Sequence, residues 1–236
     1  MAPVLGAVPN GIPMRIISLS AVSAAFSGSV VRGALLALAL AAPLGAHAAG
    51  AVEQLRAFAR DTQSASGAFS QQTRASTGQA QPAQSGQFAF QRPGKFDWRV
   101  TKPYEQRIVS DGRELFQFDP DLNQVSVRKT DAAVGASPAA ILFGDGDLEK
   151  SFNVKELPAR DGLDWLEAVP RSADAGFSKV EIGFKDGLPS RLELFDSFGQ
   201  STRVTLSDMR RNPSIPAGTF TFTAPAGVDV VRMGGQ

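Results

Sequence analysis

The sequence predicts a mainly β protein: an antiparallel sheet that curls or closes, with few helices. Three observations predict it. Apolar residues recur at every second position along most of the chain after residue 68, as in Phe88 and Phe90, then Phe96, Trp98 and Val100. Tight-turn pairs such as Asp111-Gly112 and Asp186-Gly187 separate these runs. Only two stretches carry helical spacing, too few to cover both faces of a flat sheet.

Residues 1–49 contain no acidic side chain, and Gly33–Gly45 (GALLALALAAPLG) is apolar but too short to span a bilayer, which takes roughly 20 apolar residues. Arg15 and Arg32 precede it, and small Ala46 and Ala48 follow. This pattern predicts a secretory signal peptide over 1–48, cleaved after Ala48. Met14 is an alternative start, because MRIISL opens like a leader. Losing Arg15 and Arg32 turns the net charge from +1 to −1. Residues 49–236 are expected to form one domain, since neither a long linker nor a repeat divides them.

Val52, Leu55, Phe58 and Ala59 fall on one side of a helix, and Gly67 is expected to end it. A strand follows through Phe69. The polar stretch 77–86 (TGQAQPAQSG) predicts a hairpin loop. Strands are then expected around Phe88–Phe90 and Phe96–Val100, joined by the tight Arg92-Pro93-Gly94 connection. Gln106–Ser110 and Glu114–Phe118 form a hairpin on Asp111-Gly112, and Phe116 and Phe118 share a face. Asp119-Pro120-Asp121 turns the chain into a strand through Val125 and Val127. Ser137–Asp147 predicts a short helix, with Ser137 as cap and Pro138 in its first turn. Its apolar cluster is Ile141, Leu142 and Phe143. A second short helical turn is expected over Leu148–Phe152. Strands return at Trp165–Leu166, Val180–Phe184, Leu192–Leu194 and Val204–Leu206, with Phe220 and Phe222 in a last strand.

Composition excludes much chemistry. There is no cysteine, so disulfides, thiol catalysis, cysteine-held metal and a lipid-modified N-terminal cysteine are ruled out. The single histidine, His47, lies in the leader. A mature chain without histidine has neither a Ser-His-Asp triad nor a histidine zinc site. Asp145–Lys150 (DGDLEK) lacks the ligand set of a calcium loop. No metal, cofactor or enzymatic activity is therefore expected. With 24 basic and 23 acidic residues there is no footprint for nucleic acid. Sixteen phenylalanines against one tyrosine suit a surface that must be apolar throughout. Such faces fit an ordinary barrel core or a hollow for a greasy ligand, and composition alone does not separate the two. Arg92 is either a surface residue with its stem over the sheet edge or a rim residue donating to nearby carbonyls.

The ordered set Arg92-Pro93-Gly94-Lys95-Phe96-Asp97-Trp98, Pro103, Val109-Ser110-Asp111-Gly112, Phe118-Asp119-Pro120, Gln124-Val125, Ser137–Leu142 and Phe220–Val228 resembles the LolA family of periplasmic lipoprotein carriers. The resemblance runs from about Val52 to Val231. It implies an incomplete antiparallel β-barrel with short helices forming a lid over an apolar cavity. It implies a monomeric chaperone that takes acylated lipoproteins from an inner-membrane LolCDE-type ABC transporter and passes them to an outer-membrane LolB-type acceptor. Arg92 would latch the lid, Pro138–Phe143, through backbone carbonyls. Phe69, Phe88, Phe90, Phe96, Trp98, Phe116, Phe118, Ile141, Leu142, Phe143, Phe184 and Leu194 would bind acyl chains. Two other readings fit the same fold: a carrier of another envelope lipid such as a glycolipid, and a lipoprotein sensor. The segment 144–157 is left unaligned to the family pattern, and the chain ends soon after Val231.

Overall fold

Among the described residues, alternating apolar and polar side chains build twelve strands into one sheet. The computed structural model describes residues 49–129, 142, 148–171 and 176–233. The strands are β1 (Ser64–Arg74), β2 (Gln84–Gln91), β3 (Lys95–Lys102), β4 (Gln106–Asp111), β5 (Glu114–Asp119), β6 (Gln124–Lys129), β7 (Phe152–Arg160), β8 (Leu163–Pro170), β9 (Lys179–Lys185), β10 (Leu188–Phe195), β11 (Ser201–Arg211) and β12 (Asp229–Arg232). Helix α1 covers Ala51–Asp61, α2 covers Leu148–Ser151, and a 3₁₀ turn covers Ala217–Phe220. The strand order is β12-β6-β5-β4-β3-β2-β1-β11-β10-β9-β8-β7. Every pairing is antiparallel except β12 with β6, which is parallel. β12 and β7 are left as edges, so the sheet is open.

The sheet nevertheless curls. Phe58 of α1 meets Phe90 of β2 edge to face at 6.3 Å, while Gln54 of the same helix donates to Asp164 Oδ2 of β8 at 2.7 Å. One short helix reaches both halves of the sheet because the strands wrap round it. Leu55, Phe58, Phe90, Phe96, Leu166, Ile182 and Phe184 belong to a single buried cluster. Burying side chains of this size stabilises the fold by roughly 1.5–3 kcal/mol each.

Two expectations about the elements need correction. Gly67 does not end the helix; α1 stops at Asp61, and Gly67 lies inside β1 opposite Phe88. A Cβ at Gly67 would come within 2.8 Å of the Phe88 ring, so the glycine makes room for that aromatic. Phe220 and Phe222 are not in a strand: Phe220 closes the 3₁₀ turn and Phe222 follows in irregular chain. Strands β7 and β12 were not anticipated. The expected helical turn near 148 is α2, whereas the helix expected over 137–147 and the signal peptide lie outside the described residues, apart from Leu142, which is helical.

Candidate binding site

Cross-strand register decides which side chains share the concave face. One row runs Phe88–Trp98–Ile108–Gln117–Ser126 across β2 to β6, and the next runs Phe90–Phe96–Ser110–Leu115–Arg128. Phe69 of β1 stacks on Trp98, with ring centroids 3.7 Å apart, and the Phe88 ring lies 6.0 Å from that of Trp98. Gly86 sits opposite Phe69, as Gly67 sits opposite Phe88. A backbone without side chains thus carries each ring. Phe184 is fully buried in the same cluster, and Leu194 packs against it half-buried. Seven of the expected acyl-binding residues, Phe69, Phe88, Phe90, Phe96, Trp98, Phe184 and Leu194, are thereby brought together with Leu142.

Phe116 and Phe118 are not. They face the opposite side of the sheet, where Phe222 packs 5.5 Å and 5.8 Å from them. The apolar inward residue of β5 is Leu115, which is 1% exposed. Val109, Val125 and Val127 share the outer side with the two phenylalanines. Ile141 and Phe143 lie outside the described residues.

Arg92 stands at the β2–β3 turn, where Gly94 takes φ +67°. Its Nε donates to the Thr62 carbonyl at 3.0 Å and its Nη2 to the Leu142 carbonyl at 2.9 Å. Its backbone N–H donates to the Gln63 carbonyl at 2.8 Å. Its guanidinium carbon is 5.2 Å from the Phe90 ring centre, which adds a cation–π contact. The arginine thus ties the end of α1 to Leu142 over the aromatic row. Leu142 itself is 3% exposed. The concave face is filled by the protein's own groups: Leu55 and Phe58 from α1, and Leu142.

The apolar stripe of α1 was visible in the sequence, but the distant residues that seat the helix were not. Two anchors seat it. Glu156 of β7 accepts the Ala51 and Val52 N–H groups at 3.0 Å and 2.8 Å, so a carboxylate caps the helix N-terminus. Gln54, 8% exposed, donates to the Ala49 carbonyl and Asp164 and accepts the Gly187 N–H.

A cavity of about 630 Å³ lies on the outer face instead, lined by Gln87, Asp97, Arg99, Asp208, Arg210 and Thr219 among others. Two carboxylates and two guanidinium groups make it a poor host for hydrocarbon. Arg107 borders this region, donating to Asp97 Oδ1 at 2.6 Å and to the Thr219 carbonyl at 2.9 Å, and so holds the 3₁₀ turn to the sheet.

An open β-sheet curled round a helix, with an arginine fastening a second helical residue at one end, defines the class: an open-barrel protein whose concave face is covered by its own helical groups. A family model described as outer membrane lipoprotein carrier protein LolA matches residues 60–223. The outer-membrane lipoprotein carrier protein of Bordetella avium is 58% identical over 204 residues, covering 86% of this chain and 98% of the relative. That of Cupriavidus pinatubonensis is 49% identical over 187 residues, covering 78% and 88%. Among solved structures, a LolA superfamily protein from Nitrosomonas europaea superposes with TM-score 0.45 at 15% identity, covering 74% of this chain and 99% of that one. The chain belongs to the LolA family.

Proposed function

We propose that this protein is a periplasmic carrier that covers the acyl chains of lipoproteins released from the inner membrane and delivers them to an outer-membrane acceptor. A LolCDE-type transporter is the donor in this reading and a LolB-type protein the acceptor, with the carrier acting as a monomer. The task is binding and release, with no bond made or broken. Each methylene withdrawn from water is worth roughly 0.8 kcal/mol, so several acyl chains cannot travel uncovered. The rows of Phe69, Phe88, Phe90, Phe96 and Trp98 offer a broad, rigid apolar surface for them.

The observation that carries the reading is the Arg92 latch. Acyl chains reach the aromatic rows only when Leu142 and the α1 side chains leave them. Charge-assisted hydrogen bonds of this kind contribute roughly 1.5–3 kcal/mol each to the closed state. That closed state competes with cargo and weakens its net hold, so cargo can be surrendered without a local energy source. Arg92→Leu removes the competition. The expected outcome is a carrier that loads normally and transfers a triacylated lipoprotein to purified acceptor at least tenfold more slowly. Transfer at the wild-type rate would remove the latch from the mechanism.

A further inference from the structure

The concave face is not apolar throughout. Following the two inward rows away from the aromatics, the residues become Gln117 and Ser126 in one, and Ser110, Leu115 and Arg128 in the other. Arg128 shares a face with Leu115, which is part of the buried apolar cluster. Its Nε is buried without a hydrogen-bond partner, and its Nη2 reaches Gln117 Oε1 only at 3.5 Å. Among the described residues Arg128 makes no ion pair, although Arg107 and Arg160 elsewhere on the sheet are paired with carboxylates at 2.6 Å or less. A guanidinium is always charged and carries five N–H donors. Leaving a buried donor unmet costs about 1–3 kcal/mol. Arg128 as a whole is half-buried, so its buried Nε is open to an acceptor that arrives from outside.

We propose that Arg128, with Gln117 and Ser126, forms a polar subsite for the ester and amide carbonyl oxygens at the head of an acylated peptide. The inference rests on the carrier reading and specifies how the cargo's polar end is held. Geometry favours carbonyls at this place. Arg128 ends the row that begins at Phe90 and Phe96, so it lies at the same end of the strands as Arg92. A hydrocarbon tail that lies on the aromatic rows with its ester toward Arg92 and Arg128 keeps its first polar atoms near that end. Ester carbonyls are joined directly to the tails and so come within reach of donors on the neighbouring strands. They accept hydrogen bonds without a charge of their own, which leaves the head free to depart once the tails are withdrawn.

The test compares Arg128→Met with wild type on three probes: a synthetic triacylated lipopeptide, a neutral alkyl-chain fluorophore without carbonyl groups, and vesicle-free phosphatidylglycerol. The expected result is about a tenfold loss of lipopeptide affinity, as a charge-assisted hydrogen bond implies, with fluorophore affinity unchanged. Arg128→Gln, which keeps a donor, is expected to recover part of the loss and serves as the folded control should the methionine variant not fold. Equal lipopeptide binding by wild type and both variants overturns the subsite and leaves the carrier reading intact. Failure of wild type to bind the lipopeptide at all defeats the carrier reading itself. A larger loss for phosphatidylglycerol than for lipopeptide overturns the assignment to carbonyls in favour of a lipid phosphate.

Discussion

Gly86 measures how tightly the aromatic rows are built. A Cβ placed there would stand 1.8 Å from the Arg99 carbonyl oxygen and 3.0 Å from the Phe69 ring. The first neighbour is backbone and cannot swing away. Gly86→Ala should therefore cost roughly 2–3 kcal/mol through forced displacement of β3, and lower the melting temperature by roughly 5–10 °C in a circular-dichroism melt. An unchanged melting temperature would mean that β2 and β3 separate here without cost. At this scale the sequence was informative about Arg92, because Pro93 and Gly94 pin the chain just after it. It was misleading about Phe116 and Phe118. Period-2 spacing says that two residues share a face and does not say which face is inward. Leu115, the neighbour with the smaller aromatic claim, turned out to point in. Arg128 carried no signal, since a lone arginine on a strand reads as a solvent residue until its cross-strand partner is known.

Helix α1 depends on a residue more than a hundred positions away. Glu156 caps its first two N–H groups from the edge strand β7, a partner that no local pattern announces. Removing such a cap costs about 1 kcal/mol. In Glu156→Ala the N-terminal amides of α1 should exchange with deuterium about fivefold faster, while those of β1 and β2 keep their rates. Equal acceleration in both would show general loosening rather than loss of the cap. The same dependence on distant partners explains which elements were legible. The central strands β2 to β6 and β8 to β11 announce themselves by clean alternation between turn signals. β7 does not: it is an edge strand with a register shift between Leu157 and Arg160, and charged side chains interrupt its alternation. β12 is stabilised by a parallel partnership with β6, more than a hundred residues earlier. The Phe220–Phe222 stretch imitates a strand by its period-2 spacing, but Phe220 is buried at the end of the 3₁₀ turn and Phe222 packs against Phe116 and Phe118.

Across the whole molecule the two faces of the sheet are divided by chemistry. Over β7 to β11 the outer face is a ladder of alternating charge. Lys155 and Lys179 flank Glu167 at 2.8 Å and 3.1 Å, Lys179 and Arg160 flank Glu181, and Arg160 and Arg203 flank Glu193 at 3.5 Å and 3.0 Å. Arg160 also lies over Trp165, 3.7 Å from its ring centre, which closes the outer face above a fully buried indole. The ladder holds strands whose inner faces carry the hollow, so it bears on how well the open sheet keeps its curl. Hydrogen bonding from Lys155, opposed by burial and assisted by Lys179, holds the Glu167 carboxyl below its ordinary value of 4.5. Burial pushes Glu181 up, but hydrogen bonds from Lys179 and Arg160 outweigh it and leave the carboxyl lowered as well. Bonding to Glu181 raises Lys179 above its ordinary 10.5, with burial opposing and Glu167 assisting. A carboxyl lowered by folding stabilises the fold above its unfolded value and loses that contribution as pH falls through its folded value. A raised lysine stabilises below its unfolded value and loses the contribution only as pH rises past its folded one. The ladder is therefore intact between about pH 5 and pH 10, and acid dismantles it first. Because Lys155 and Lys179 are partly in solvent, each pair is worth no more than about 1 kcal/mol. The double variant Glu167→Gln, Glu181→Gln should melt below wild type at pH 7 and converge with it as the pH is taken from 5 to 3, in melts at fixed ionic strength. A constant difference across that range would show that the two carboxylates contribute through packing and not through their charge.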